Sequence, residues 1–308
     1  MSASELIMID GPTAVGKSAL GAALARSLGG EIISGDSVQI YKGLNIGAAK
    51  PTPAEQGGVP HHLLDELELT EGFSAADFRE RAARRAAEIR SRGRLPIVVG
   101  GTGLYLRALT DGFTFAAAGS AESKERWKAA AARFGPEILH RRLRDLDPAS
   151  AARLHPHDTA RLIRALEVFD LTGVPLSRQR DFAEREYPPR PGVVVFGLTA
   201  PRPWLYERVE ERAAAMLAGG LIEETAALLR AGADPNLKPL RSIGYRHAIA
   251  YLRGLTTKAE TLRLLQRDTR RLAKRQWTWF ARDPRVIWFD VTETPREEII
   301  ERMKIIIQ

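Results

Sequence analysis

Eight residues near the start of the chain, Gly11-Pro12-Thr13-Ala14-Val15-Gly16-Lys17-Ser18, have the types and spacing to hold phosphate. They match G-x4-G-K-[ST] without departure. Glycines at these positions let backbone N–H groups turn inward on phosphate oxygens, and a helix that follows adds positive potential at its N-terminus. Lys17 supplies a mobile cation for a terminal phosphate, and the Ser18 hydroxyl suits Mg2+. Two further clusters have polar groups in a glycine setting: Ser34-Gly35-Asp36-Ser37-Val38-Gln39-Ile40-Tyr41 and Gly100-Gly101-Thr102-Gly103. Asp36 fits three readings: a Mg2+ ligand, a general base, or the acceptor of an Asx turn. The adjacent His61 and His62 are flanked by apolar residues, and His155 and His157 lack companion ligands, so all four read as structural.

These clusters need elements to hold them. Leu6–Asp10 is a short apolar run directly before the phosphate loop, which predicts a buried strand. Glu31–Ile33, Pro96–Val99, Val193–Phe196 and Val286–Phe289 read as further strands. Ala19–Leu28, Ser74 to about Arg92, Trp204–Leu217 and Leu221–Arg230 read as helices. Such alternation predicts a parallel sheet covered by helices, and the three polar clusters all fall at carboxyl ends of strands, where open α/β sheets build their sites. From about Gly119 to Asp181 no strand-like run occurs, and helix-length segments break at Gly135-Pro136, Asp147-Pro148, His155-Pro156 and Gly173-Val174-Pro175. Pro188-Pro189-Arg190-Pro191 marks the return. The expected fold is α/β, a P-loop NTPase-like parallel sheet flanked by helices, with an all-helical insertion domain. Its catalytic domain is discontinuous, 1–114 and 190–308, and the insertion spans 115–189.

Composition narrows the chemistry. The 308 residues include 46 Lys+Arg, 38 Asp+Glu and no cysteine, for a net charge of +8. Without cysteine there is no disulfide scaffold, no thiolate zinc site and no thiol nucleophile, which fits a reducing compartment. The N-terminal apolar run follows no basic stretch, so it is not a secretory signal. No apolar stretch approaches the roughly 18 residues that cross a bilayer. The expectation is a cytoplasmic monomer with no membrane contact. The positive charge is concentrated. Arg263 to Arg285 holds eight basic residues against Asp268 and Asp283, a net +6, with Trp277, Trp279 and Phe280 interleaved. Asp77 to Arg94 holds seven arginines against Asp77, Glu80 and Glu88, a net +4. Aromatic and cationic side chains together suit nucleic acid. The second segment reads equally well as a solvated helix face.

The phosphate loop alone implies ATP or GTP. A GTPase needs an NKxD-type base-specifying motif, and none occurs. A small-molecule kinase fits on size, but the Asp36 and Thr102 clusters are unusual for one. Taken in order, Gly11–Ser18, Asp36–Tyr41, Asn45–Pro51, Pro60–Leu63, Gly100–Tyr105, Arg164–Val168, Ile243–Tyr245 and Thr269–Gln276 resemble the bacterial tRNA dimethylallyltransferases, also called tRNA isopentenyltransferases. The resemblance covers nearly the whole chain, and its specificity lies in eight motifs in one order. Two positions depart: Leu272 stands where many members have Tyr, and His247 where many have Glu. With no cysteine, the chain resembles the bacterial type and not the zinc-finger-bearing eukaryotic type.

The resemblance implies transfer of a dimethylallyl group from dimethylallyl pyrophosphate to the exocyclic N6 amine of the adenosine immediately 3′ of the anticodon, in tRNAs that read U-initial codons. An adenine amine is a poor nucleophile, so the chemistry needs an anion hole for the departing pyrophosphate and a base. The implied roles follow from that need. Gly11, Pro12, Thr13, Ala14, Val15, Gly16, Lys17 and Ser18 hold the pyrophosphate with Mg2+, the metal on Ser18 and Asp36. Thr102 donates to the bridging oxygen, Arg212 clamps the pyrophosphate with Arg208 as rival, and Asp36 takes the amine proton. Asp36, Ser37, Val38 and Gln39 read the target base, which must leave its stack. Contacts to the tRNA anticodon stem-loop are implied at Lys124, Arg161, Arg164, Arg241, Gly244, Arg246, Arg270, Arg271, Lys274, Arg275 and Gln276. Three rivals stand beside this reading: a relative that prenylates free adenine nucleotides, a P-loop small-molecule kinase, and a non-catalytic RNA-binding P-loop protein.

Overall fold

The structure, a computed structural model, describes residues 5–111, 120–178 and 191–307. The chain divides into two compact units, Met1–Asp111 with Tyr187–Gln308, and Gly112–Glu186. The sequence-derived boundaries at 114/115 and 189/190, and the Pro188–Arg190 marker, lie outside the described residues.

The first unit is built on six parallel strands in the order β3-β2-β4-β1-β5-β6. They are β1 Leu6–Asp10, β2 Glu31–Gly35, β3 His61–His62, β4 Pro96–Gly100, β5 Val193–Thr199 and β6 Val286–Asp290. Every residue of β1, β2 and β4 is buried, as expected of strands covered on both faces. The helices are α1 Lys17–Leu28, α2 Pro53–Gln56, α3 Ala75–Ser91 and α4 Gly103–Thr110. In the second unit follow α5 Ala121–Phe134, α6 Glu137–Leu146, α7 Pro148–Arg153 and α8 Thr159–Thr172. The first unit resumes with α9 Arg202–Ala218, α10 Leu221–Arg230, α11 Tyr245–Leu252, α12 Lys258–Phe280 and α13 Arg296–Ile307.

The sheet is the predicted one, but its strands run further toward the site. β2 and β4 continue into Gly35 and Gly100, which the register pairs directly. A Cβ on Gly100 would lie 2.4 Å from the Gly35 carbonyl oxygen. Two residues without side chains let these strand ends close on each other, so a stretch that reads as loop by composition remains strand. β3 was not anticipated. It is a two-residue edge strand, too short to carry a period. Its His62 Nε2 lies 2.7 Å from Glu31 and the His61 Nδ1 lies 2.8 Å from the Val59 carbonyl, so both rings serve local structure.

One core lies between the sheet and α1, α9 and α13, and includes Ile7, Ile9, Leu24, Ile97, Phe196, Leu198, Leu205 and Met303. α3 begins where expected, with a Ser74–Asp77 capping box. In the second unit, Leu139, Leu143, Leu162, Leu166 and Val168 form a separate core. There the Asp170 carboxylate accepts from Ser123 Oγ, Arg126 and Trp127 Nε1, tying α8 to α5.

One carboxylate organises the Asn45–Pro51 segment. Glu224 on α10 accepts from the backbone N–H groups of Asn45, Ile46 and Gly47 and from the Tyr245 hydroxyl at 2.6 Å. Asn45 is exposed, but removing the carboxylate leaves the buried Tyr245 hydroxyl and the half-buried Ile46 and Gly47 amides without their acceptor, at roughly 1–3 kcal/mol for each buried group left unpaired. Glu224→Ala should therefore lower the midpoint of urea unfolding by an amount equivalent to about 2–4 kcal/mol, with an unchanged slope. A midpoint equal to that of the parent would show that solvent or neighbours satisfy the loop.

Candidate active site

The phosphate loop leaves β1 at Asp10 and enters α1 at Lys17. Ala14 (φ 68) and Gly16 (φ 97) take left-handed conformations, which curl the loop. The amides of Ala14, Val15, Gly16, Lys17 and Ser18 have no acceptor within the protein among the described residues. Five free N–H groups at a helix N-terminus make an anion site. Above them the Lys17 ammonium donates to the carbonyls of Gly11 at 2.9 Å and Pro12 at 2.7 Å. Burial, helped by the charge of Arg212, lowers its pKa to about 8, while Asp10 and Asp36 oppose the shift.

Three side chains converge on this cradle from other elements. Asp36 follows β2. Its Oδ1 accepts from the Val38 amide at 2.8 Å and the Gln39 amide at 3.3 Å. The Asx turn is thus present, and it leaves Oδ2 without a partner among the described residues. The turn and a chemical role are compatible, one oxygen to each. Thr102 caps α4 after β4 and accepts the Ser37 amide on Oγ1 at 3.2 Å. Its hydroxyl hydrogen remains available to a ligand. Arg212 on α9 is half-buried, and the charges of Asp36 and Glu55 oppose the lowering of its pKa by burial. Arg208 is exposed instead, 5.4 Å over the Trp204 ring and 3.9 Å from Glu211. Arg212 is therefore the arginine that shares the site with Lys17 and Asp36.

Several expected contacts take different roles. Gln39 does not present its carboxamide to a ligand. Its Nε2 donates to the carbonyls of Ala48 and Ala49, and its Oε1 accepts from Ser34 Oγ. The side chain braces the Asp36–Tyr41 turn against the Asn45–Pro51 segment. Val38 contributes its amide to Asp36 and Ser37 its amide to Thr102. Gln276 faces the phosphate loop, accepting from the Thr13 amide at 2.8 Å and donating to the Gly101 carbonyl at 2.9 Å.

The basic segments also resolve. In and around α3, Arg81 and Arg85 pair with Glu66, Arg84 with Glu88, and Arg92 and Arg94 with buried Glu31. That face is largely neutralised by the unit's own carboxylates, so it supports the solvated-face reading. On α12, Arg263 pairs with Glu260, Arg270 with Glu210, and Asp268 gathers Arg246, His247, Arg267 and Arg271. His247 Nδ1 accepts the Gly244 amide, so its Nε2–H donates to Asp268 at 3.2 Å. The ring thereby joins α11 to α12 and fixes Gly244. Arg285 lies past the helix and is half-buried against Asp111 and Asp283, so it leaves the predicted basic face. Lys274, Arg275 and Arg282 remain exposed with no carboxylate partner among the described residues, and Arg241 is exposed as well. In the second unit, Lys124 is exposed, Arg161 is exposed beside Asp158 at 3.1 Å, and Arg164 lies 4.0 Å from buried Glu167.

A divalent cation fits the donor set in one manner. Mg2+ keeps several waters and takes one or two protein oxygens with phosphate oxygens. Ser18 offers an exposed, unpartnered hydroxyl beside the free amides, and Asp36 offers Oδ2. No group of three or more acidic or histidine ligands occurs among the described residues.

Asp10 is the site residue that sequence reasoning missed. It is 3% exposed, and its Oδ1 has no hydrogen-bond partner. The available signal was an acid ending an otherwise apolar strand directly before the phosphate loop. Burial raises its pKa to about 8, with Lys17 opposing and Asp283 adding to the shift. Between about pH 4 and pH 8 the folded chain holds a proton that the unfolded chain has released, so stability falls as pH rises through that window. In melts from pH 5 to pH 9, the stability of Asp10→Asn relative to the parent should grow up to about pH 8 and then level. A pH-independent difference would mean that Asp10 is ionised when folded.

The pattern of the IPP transferase family matches residues 39–283. The tRNA dimethylallyltransferase of Desulfitobacterium hafniense (strain DSM 10664 / DCB-2) is 56% identical over 299 residues, covering 97% of this chain and 95% of that protein. That of Symbiobacterium thermophilum is 49% identical over 288 residues, covering 93% and 89%. Among solved structures, the tRNA isopentenylpyrophosphate transferase of Bacillus halodurans superposes with a TM-score of 0.72 at 40% identity, covering 98% of this chain and 95% of that one. A eukaryotic dimethylallyltransferase acting on tRNA superposes at 0.81 with 25% identity, covering 97% and 77%.

Proposed function

The chain belongs to the IPP transferase family, and from that premise we propose how its site carries out prenyl transfer. It is an enzyme, a tRNA-modifying prenyltransferase. The relatives that match nearly its full length act on tRNA by name, which sets aside a small-molecule kinase and an enzyme of free nucleotides. No helix among the described residues is long and apolar enough to cross a membrane.

The donor is dimethylallyl pyrophosphate, and the observation that carries this reading is the set of unpaired amides from Ala14 to Ser18 beside Lys17 and Arg212. That cradle holds a dense anion without any base-specifying motif. Its fixed N–H dipoles and two cations meet the charge that develops on the departing oxygens, already oriented before the reaction begins. Thr102 donates its free hydroxyl to the bridging oxygen. Ser18 would hold Mg2+, which would supply Lewis-acid neutralisation of the leaving group; Asp36, whose Oδ1 is taken by its turn, would reach the ion only through Oδ2, the same oxygen that receives the amine proton.

The acceptor is the N6 amine of the adenosine 3′ of the anticodon in tRNAs reading U-initial codons. The bond between the allylic carbon and the bridging oxygen breaks, and its electron pair leaves with pyrophosphate. The amine nitrogen forms the new bond to that carbon, and its proton passes to the open Oδ2 of Asp36. The Asx turn keeps the carboxylate pointed while its other oxygen stays bonded. The exposed end of α12, Lys274 and Arg275, supports binding of the tRNA backbone, as do exposed Arg241 and, on the helical unit, Lys124 and Arg161. The enzyme works as a monomer in the cytoplasm.

Incubation with labelled dimethylallyl pyrophosphate, Mg2+ and total tRNA, followed by nucleoside analysis, should place the label on N6 of one adenosine. Asp36→Asn should lower kcat by roughly 10²–10⁴-fold, the usual range for general base catalysis, with tRNA affinity retained. A parallel loss of affinity would assign Asp36 to RNA positioning. Replacing Lys274 and Arg275 together by Ala should reduce the magnitude of the salt slope of tRNA binding by about 1–2. An unchanged slope would remove that end of α12 from the interface.

A further inference from the structure

We infer that Gln276 is a positioning residue for the transfer, acting as one extra rung of the sheet between the phosphate loop and the Thr102 loop; this rests on the prenyl-transfer reading above. β1 and β4 are hydrogen-bonded neighbours up to Ile9 and Val99. Beyond that point the two chains part, one into the phosphate loop and one into α4. No backbone ladder can span the gap. The Gln276 carboxamide spans it, accepting from the Thr13 amide and donating to the Gly101 carbonyl. A carboxamide has the donor and acceptor of a peptide unit, so it replaces the missing peptide. Both partners are backbone groups of fixed polarity, so only one orientation of the amide satisfies them.

The fit around it is close. A Cβ on Gly101 would lie 2.4 Å from Gln276 Nε2. One residue on, Thr102 offers the hydroxyl proposed for the bridging oxygen. Gln276 thus sets the separation between the anion cradle and Thr102, and through the Ser37 amide on Thr102 it also sets the start of the Asp36 turn. Its neighbours Lys274 and Arg275 are exposed and unpaired, whereas the Gln276 carboxamide is turned inward with its oxygen and one hydrogen occupied. A residue in the middle of a basic run therefore belongs to the chemistry side of the helix and not to the RNA side.

The test compares Gln276→Met, which keeps length and packing but removes both hydrogen bonds, with Lys274→Ala. Initial rates with labelled dimethylallyl pyrophosphate and tRNA give kcat and KM for each. A misplacement near 1 Å between reacting groups costs on the order of 100-fold, so Gln276→Met should lower kcat by about 10- to 100-fold and move the tRNA KM by less than about twofold. Lys274→Ala should do the reverse, raising KM at constant kcat. Gly101→Ala presses on the same carboxamide from the opposite side and leaves α12 unaltered. It should reproduce the kcat loss, so the comparison survives if Gln276→Met folds poorly in a thermal melt. A raised tRNA KM with unchanged kcat in Gln276→Met, or parent-like kinetics in both variants, would overturn the inference. Absence of any transfer by the parent chain would remove the prenyl-transfer reading together with it.

Discussion

The ammonium of Lys17 is taken out of water and placed in the field of Arg212, with the two nearest phosphate-loop carbonyls as its hydrogen-bond partners. Two like charges in a desolvated space raise each other's energy. Next to them, five amides at the start of α1 point to no acceptor. The site therefore stores positive potential that the protein's own groups leave uncompensated. Asp36 reaches it only as a nearby charge, and Asp10, buried beneath, is held toward its neutral form. A polyanion would complete this arrangement, and the rest of the first unit can be understood as the scaffold that holds these groups in place.

That scaffold works by spending side chains on backbone groups. Glu224 binds the amides of the Asn45–Gly47 segment, Gln39 binds the carbonyls of Ala48 and Ala49, and Gln276 bridges Thr13 and Gly101. Each fixes a loop that has no ladder of its own. The consequence is a division of labour among polar residues of one sequence motif. Asp36 keeps an open oxygen, whereas Gln39, three residues on, keeps none of its acceptor free of the protein. Asp268 does the same for charge, collecting four basic groups from α11 and α12 and leaving Lys274 and Arg275 to face solvent.

Family membership and the site's chemistry meet at the pyrophosphate. A P-loop usually serves nucleotide triphosphates, yet here it lies beside a carboxylate and a hydroxyl from two neighbouring strand ends. Those groups suit a reaction in which a leaving group departs and an amine loses a proton. The glycine pair at Gly35 and Gly100 makes the convergence possible, because side chains at those strand ends would hold the two loops apart.

Much of this was legible in the chain alone. The phosphate loop, the strand–helix alternation and the order of eight motifs depend on local spacing, and local spacing survives translation into structure. The buried strands read as apolar runs, and Ser74 with Asp77 announced the start of α3. Partnership was not legible, because it joins residues far apart in sequence. Arginines around α3 and on α12 looked equivalent by composition, but carboxylates from Glu31, Glu66, Glu210 and Asp268 neutralise most of them and spare Lys274 and Arg275. Arg212 and Arg208 sit one turn apart on the same helix, and only packing turns one toward Asp36 and the other toward Trp204. Asp10 looked like the end of a strand until the fold buried it. The sequence by itself determined which chemistry the chain carries, since that lies in residue type and short-range order. The tertiary structure decided which charges and hydrogen-bonding groups remain free to perform it, since a polar group's role depends on whether the fold has already given it a partner.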